Sequence, residues 1–64
     1  MRPTRAELLA AVESEPLGIR TRDLANKLHT VPYQITATLS KFAAYGVIRK
    51  TVMNARGDAL WRPL

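Results

Sequence analysis

The sequence has 64 residues, 47% of them hydrophobic, and its ten Lys and Arg against five Asp and Glu give a net charge of +5. A chain of this length forms one domain, residues 1–64, with a modest core. Because it has no cysteine and one histidine, disulfides and a zinc site built from its own side chains are excluded, and no cofactor is expected. No apolar run approaches the roughly 20 residues of a membrane span, and no signal-peptide core follows the N-terminus, so we expect a cytoplasmic protein.

The positive charge is unevenly distributed along the chain. Residues 1–23 contain as many acidic as basic side chains, whereas residues 24–64 contain six Lys or Arg and a single carboxylate, Asp58. A protein that concentrates its excess charge in one half presents a basic face, and a polyanion is the expected partner. The alternative is that the charge serves solubility alone.

A first helix is predicted over about residues 5–14. Thr4 and Glu7 have the spacing of a capping box, in which each side chain binds a backbone N–H that the first turn leaves without a partner. Apolar residues then recur at helical spacing, at Leu8, Leu9 and Val12. Pro16 and Gly18 end the pattern.

Residues 18–20 have room only for a short strand, and a second helix follows it. Thr21 is predicted to cap this helix, and Asp23 stands in its first turn, where the helix dipole favours a negative charge. The inner stripe of the helix consists of Leu24, Ala25 and Leu28. We expect the helix to end near His29, an exposed turn residue.

A third helix is predicted to begin around Pro32, because proline in the first turn lacks an N–H that has no helical partner there anyway. Ile35, Leu39 and Phe42 recur at i, i+4 and i+7, so they share one buried face. Phe42 is expected in the core, where it joins the third helix to the first two. Gly46 follows at a position typical of a helix end.

The remaining residues predict a β-hairpin. Its strands, over 47–52 and 59–62, are separated by residues 54–58, whose composition is typical of a turn. Pro63 ends the second strand, and Trp61 is expected to close the core between hairpin and helices. The predicted order is therefore helix, short strand, helix, helix and hairpin, which is an α+β fold.

These residues resemble the winged helix-turn-helix family. The second-helix stretch 21–28 matches in type, and the stretch 46–50 matches the entry to the family's wing. Apolar residues also stand at the family's spacing of ten, fourteen and seventeen positions after Ala25, namely at Ile35, Leu39 and Phe42. The resemblance covers about residues 18–62. It implies three helices, a short strand and a C-terminal β-hairpin wing.

Two positions depart from the family pattern. His29 stands where the family usually has glycine, in the turn between the second and third helices. Val31 stands where serine or threonine usually caps the third helix, and Thr30 is the alternative cap, which would move the helix start by one residue. Neither departure alters the predicted fold.

The exposed face of the third helix supplies the candidates for reading base sequence. In helix-turn-helix proteins the first part of this helix enters the major groove. With Ile35 at the buried centre, the helical period predicts base contacts from Tyr33, Gln34, Thr36 and Ala37. The Gln34 carboxamide can form two hydrogen bonds with an adenine edge, and Ala37 and the Thr36 methyl suit a thymine methyl group. The alternative is an ordinary solvated helix face.

A second set of residues is predicted to contact the DNA backbone. Arg20 and Arg22 flank the start of the second helix, and the wing of this family often reaches the minor groove, where arginine is favoured. The predicted set is Arg20, Arg22, Ser40, Lys41, Arg49, Lys50 and Arg56. Taken singly, each is equally well an ordinary exposed side chain, and only the cluster favours DNA.

The resemblance implies sequence-specific binding of double-stranded DNA by a small transcriptional regulator, of the kind found in phages, plasmids and other mobile elements, excisionases included. No residue spacing pairs a nucleophile with a base, so we expect neither an enzyme nor a small-molecule substrate. Since one module reads few base pairs, a homodimer or a neighbouring DNA-bound protein is expected. The alternative function is a winged helix that binds other proteins, free-standing or within a larger protein.

Overall fold

The computed structural model describes residues 3–53 and 58–64. They form helices and strands in the predicted order, which confirms the α+β class. The elements are α1 (Arg5–Glu13), β1 (Ile19–Arg20), α2 (Thr21–Lys27), α3 (Pro32–Ala44), β2 (Ile48–Val52) and β3 (Ala59–Pro63). Four residues of the predicted hairpin turn, 54–57, lie outside the described residues. Arg56 is one of them.

The predicted capping box at the start of α1 is confirmed. The Thr4 hydroxyl accepts a hydrogen bond from the Glu7 backbone N–H at 3.1 Å, and the Thr4 N–H donates to Glu7 Oε1 at 3.1 Å. These bonds stabilise the charged carboxylate, so hydrogen bonding to the Thr4 backbone, and then to its side chain, lowers the pKa of Glu7 below its usual value. The helix ends at Glu13, one residue earlier than predicted.

The predicted cap of α2 is wrong. Thr21 is the first helical residue, and Arg20 is the N-cap, with no side-chain capping bond. The Thr21 hydroxyl instead accepts a hydrogen bond from the indole N–H of Trp61 at 2.7 Å. A buried indole N–H without an acceptor is costly, whereas an exposed helix end finds water, so the hydroxyl serves the tryptophan. The helix also ends at Lys27, before His29.

The turn between α2 and α3 contains both residues that depart from the family pattern, His29 and Val31. His29 is exposed, as predicted, and has a left-handed backbone with φ of 55°, the conformation that glycine adopts most readily. Val31 is the N-cap of α3 and makes no side-chain capping bond, so the alternative cap at Thr30 is wrong. The Thr30 N–H instead closes the turn onto the Ala25 carbonyl at 2.9 Å. Pro32 begins the helix, as predicted.

The strands form one antiparallel sheet in the order β1-β3-β2. The predicted short strand thus joins the hairpin, and β3 lies at the centre of the sheet. β1 pairs only with Leu60 and Trp61. Pro63 is the last residue of β3, opposite Ile48, so it ends the strand as predicted.

Gly18 lets the chain enter β1 close to β3. Its φ of 101° is a conformation that other residues rarely adopt, and a Cβ built on it would lie 2.7 Å from Leu60 Cδ2. Glycine is required here both by backbone conformation and by space.

The core lies between the three helices and one face of the sheet. Its buried residues are Leu8, Ala11, Val12, Leu24, Ala25, Ile35, Leu39, Ile48, Ala59 and Trp61. Trp61 is 1% exposed, so its predicted core position is confirmed. Phe42, predicted as a core residue, is only half-buried and packs against the edge of the cluster with Leu9 and Leu28.

Candidate nucleic-acid interface

A cleft of about 430 Å³ opens where the first turns of α2 and α3 meet the sheet. We call it the basic cleft. The lining residues that matter for its chemistry are Arg20, Arg22, Thr36, Lys50, Asp58 and Trp61. Three predicted contacts to the DNA backbone, from two parts of the sequence, therefore line the same cleft as one predicted base contact, Thr36. The cations outnumber the single carboxylate of Asp58, so the cleft favours an anionic ligand.

Trp61 forms the floor of the basic cleft and contacts a residue on each side of it, one on α2 and one on β2. Its hydrogen bond to Thr21 joins β3 to the first residue of α2. Its ring lies 5.5 Å from Lys50 Nζ, a distance at which a cation is attracted to the aromatic face. One buried side chain thus holds the helix beside the sheet and positions a cation above itself. The expectation for Trp61 covered its burial but missed both of these contacts.

Two acidic side chains of the N-terminal part of the chain have partners outside the basic cleft. Glu7 belongs to the capping box, and Glu15 forms an ion pair with Lys27 at 3.2 Å. Lys27 also donates a hydrogen bond to Ser14 Oγ at 2.8 Å. Lys27 therefore belongs to a local network with the end of α1, although the sequence counts it within the basic half. The basic character of that half rests on the cleft and the hairpin instead.

The exposed face of α3 has the predicted helical register. Ile35 and Leu39 are buried, whereas Tyr33, 78% exposed, and the small residues Ala37 and Ser40 face solvent. The Thr36 hydroxyl donates to the Pro32 carbonyl within the helix at 2.8 Å. Because that proton is already used, the methyl group of Thr36 suits an apolar contact better than its hydroxyl suits a donated hydrogen bond.

Gln34 lies at the border of this face and is half-buried. Its Nε2 lies 3.5 Å from the Tyr33 hydroxyl, at the outer limit of a hydrogen bond. Both polar groups are in the first turn of α3, which is the part of the helix predicted to read bases. The two side chains therefore form one polar unit at the start of the helix.

The structure separates the other predicted backbone contacts from the basic cleft. Arg49 is paired with Arg62 and Lys50 with Trp61 in the sheet, so Arg49 and Lys50 point to opposite faces. Lys41 lines a second cleft, on the other flank of α3, together with Arg5. Ser40 lies on the exposed helix face between the two clefts. The predicted cations thus occupy several surfaces, and only those of the basic cleft adjoin the first turn of α3.

Comparisons of the chain with known proteins give no match. No protein-family model matches the sequence. No curated protein and no solved structure matches it either. Within the described part of the chain, no helix combines the length and the apolar character needed to cross a membrane.

Proposed function

We propose that this protein binds double-stranded DNA sequence-specifically and acts as a small transcriptional regulator of the winged helix-turn-helix type. In this proposal α3 lies in the major groove, and the hairpin contacts the backbone or the adjacent minor groove. The observation that carries the proposal is the basic cleft, in which Arg20, Arg22 and Lys50 adjoin the exposed first turns of α3.

The shape of α3 supports this placement. Its 13 residues extend over about 20 Å at the usual helical rise. The outward side chains Thr36, Ala37 and Ser40 are small, so the helix backbone can approach the floor of a groove closely. Cations on the flank of such a helix bind phosphates, which fixes its register on the duplex without reading sequence.

In this arrangement, the residues that recognise the DNA bases lie in the first turns of α3. Gln34 and Tyr33 supply hydrogen-bonding groups, and Thr36 and Ala37 supply apolar contacts for thymine methyl groups. The outward face of α3 includes no arginine, so bidentate readout of guanine by arginine is not expected from it. The proposed target is therefore richer in A·T than in G·C pairs where α3 contacts it.

A protein-binding winged helix is the second candidate function. Two large apolar side chains favour it, because Leu17 is 91% and Tyr45 is 78% exposed. Neither residue lines the basic cleft, so the two functions are not exclusive.

A selection of bound duplexes from a random pool, followed by a salt titration on the best duplex, tests the proposal. We expect enrichment of a defined sequence and an affinity that falls steeply with salt, because phosphate neutralisation releases counterions. No enriched sequence together with a flat salt dependence would contradict DNA binding and favour the protein-binding function.

Gln34→Ala tests base readout within this experiment. We expect it to cost about 1–3 kcal/mol on the selected duplex and much less on a scrambled one. The matched control is Asn26→Ala, which truncates an exposed amide on α2 and is expected to affect both duplexes little. Equal losses on the selected and scrambled duplexes would remove Gln34 from sequence reading.

A further inference from the structure

Leu17 is the most exposed large hydrophobic residue of the described chain, at 91%. It stands in the turn between α1 and β1, which the Gly18 N–H closes onto the Glu15 carbonyl at 2.9 Å. Pro16 restricts the backbone just before it. A leucine held outward on a closed turn contributes nothing to the core, and it lies outside the proposed DNA interface.

The second cleft, of about 250 Å³, is a depression in the surface, whereas Leu17 projects from the surface. We call it the α1–α3 cleft, and its lining residues are Arg5, Thr38, Lys41, Phe42, Tyr45 and Val47. Three of its lining side chains are aromatic or apolar, namely the half-buried Phe42, Tyr45, which is 78% exposed, and Val47, which is 39% exposed. Two cations stand among these apolar groups, and none of the described lining residues is acidic. The cleft suits an apolar side chain flanked by carboxylates.

A carboxylate stands close to Leu17 in the sequence. Glu13 is the exposed last residue of α1, whereas Glu15 already forms an ion pair with Lys27 of its own molecule. Arg5, by contrast, is the first residue of α1. The helix has nine residues and extends over about 13 Å, so Leu17 and the α1–α3 cleft stand at opposite ends of it. Leu17 therefore does not fill the α1–α3 cleft of its own molecule.

We propose that Leu17 of one copy inserts into the α1–α3 cleft of a second copy, with Glu13 facing Arg5 and Lys41. The contact joins two different surfaces, and each copy carries both of them, so it can repeat from copy to copy along a duplex. It is small compared with a stable interface and is expected to be weak in solution. Its role on DNA rests on the proposed function: neighbouring bound copies are held at high local concentration, so the contact makes binding to adjacent sites cooperative.

Disulfide trapping tests the contact directly, because the sequence has no cysteine of its own. Pro16→Cys protein, which keeps the exposed Leu17, is mixed with Val47→Cys protein under mild oxidation, with and without a long duplex. The matched control is Val31→Cys, because Val31 is 43% and Val47 is 39% exposed. Val31 precedes α3, whereas Val47 follows it, so only the second marks the cleft. We expect the mixed disulfide to form about tenfold faster at position 47 than at position 31, since the contact raises the effective concentration.

A charge exchange checks that the contact is the proposed one. Glu13→Arg in the Pro16→Cys protein, or Arg5→Glu in the Val47→Cys protein, is expected to slow the mixed disulfide, and the two together to restore it. Equal trapping at positions 47 and 31 in both conditions, or no restoration by the exchange, would overturn the proposal. Trapping in a protein that binds no duplex would leave the contact standing and contradict the proposed DNA function alone.

Discussion

Lys50 and Arg62 lie on neighbouring strands of one sheet, yet their surroundings differ. Lys50 is on the inner face, opposite Trp61, and lines the basic cleft beside α2 and α3. Arg62 is on the outer face, opposite Arg49, and has no part in that cleft. Both faces are positively charged, so charge alone does not distinguish them. What distinguishes them is the buried tryptophan that ties one face to the helices.

The two faces of the hairpin therefore have to be considered separately, because their positive charges have different surroundings. Phosphate binding needs several cations converging on one place, next to an element that can enter a groove. The inner face meets this condition through Arg22, Lys50 and the first turn of α3. On the outer face, the described cations Arg49 and Arg62 lie near Ala43 at the end of α3, away from the first turns that are predicted to read bases.

The largest expected effect comes from removing the residue that joins the inner face to the helices. Trp61→Ala deletes a fully buried side chain and is expected to destabilise the fold by about 3–5 kcal/mol. A small domain without a disulfide has a low free energy of unfolding, so the helical circular-dichroism signal of this variant should disappear at room temperature. Trp61→Phe, which keeps most of the volume, serves as the control. An unchanged denaturation midpoint for Trp61→Ala would contradict the core position of Trp61.

A comparable effect is expected on the outer side of the sheet, where Gly18 meets Leu60. Gly18→Ala places a Cβ 2.7 Å from the Leu60 side chain, and this overpacking is expected to lower the free energy of unfolding by about 1–3 kcal/mol. The left-handed backbone conformation is expected to lower it by about 1–2 kcal/mol more. Gly46→Ala is the matched control, because Gly46 has φ of 77° and open space around it, and so carries only the backbone cost. Urea denaturation of the two variants measures the difference. Equal losses of stability would show that Leu60 moves aside.

A smaller effect isolates the hydrogen bond that positions the basic cleft. Thr21→Val keeps the shape of the side chain but leaves the buried indole N–H of Trp61 without its acceptor, at about 1–3 kcal/mol of folding stability. Thr21→Ser restores the hydroxyl and should recover most of the loss. The measurement is thermal unfolding together with duplex affinity at a salt concentration where the variant is still folded. If Thr21→Val melted at the same temperature as the unchanged protein, the bond would not hold β3 against α2.

Local patterns predict much of this fold. The capping box at Thr4 and Glu7, the start of α3 at Pro32, and the buried pair Ile35 and Leu39 each depend on residues within two turns of one another. Such patterns are readable because helix caps and helical periods involve near neighbours in sequence. The predicted outward face of α3 follows from the same period.

The contacts that build the candidate site are not local. Thr21 and Trp61 are 40 positions apart, and nothing near Thr21 indicates that its hydroxyl will serve an indole instead of capping a helix. Strand alternation separates Arg49 from Lys50 in principle. Which of them faces the helices depends on the register of β2 and β3, which places Lys50 opposite the buried Trp61. Phe42 lies at the edge of the buried stripe that Ile35 and Leu39 occupy, so its spacing alone overstates its burial.

The central claim, that the inner face of the hairpin and not the outer one faces DNA, is tested by the salt dependence of duplex affinity for Lys50→Gln and Arg62→Gln. Each change removes one positive charge from the same hairpin. We expect Lys50→Gln to flatten the plot of log affinity against log salt by about 0.9 units, the contribution of one neutralised phosphate. Arg62→Gln should leave that slope unchanged. Equal slopes for the two variants, or a flatter plot for Arg62→Gln alone, would contradict the assignment of the basic cleft to the DNA backbone.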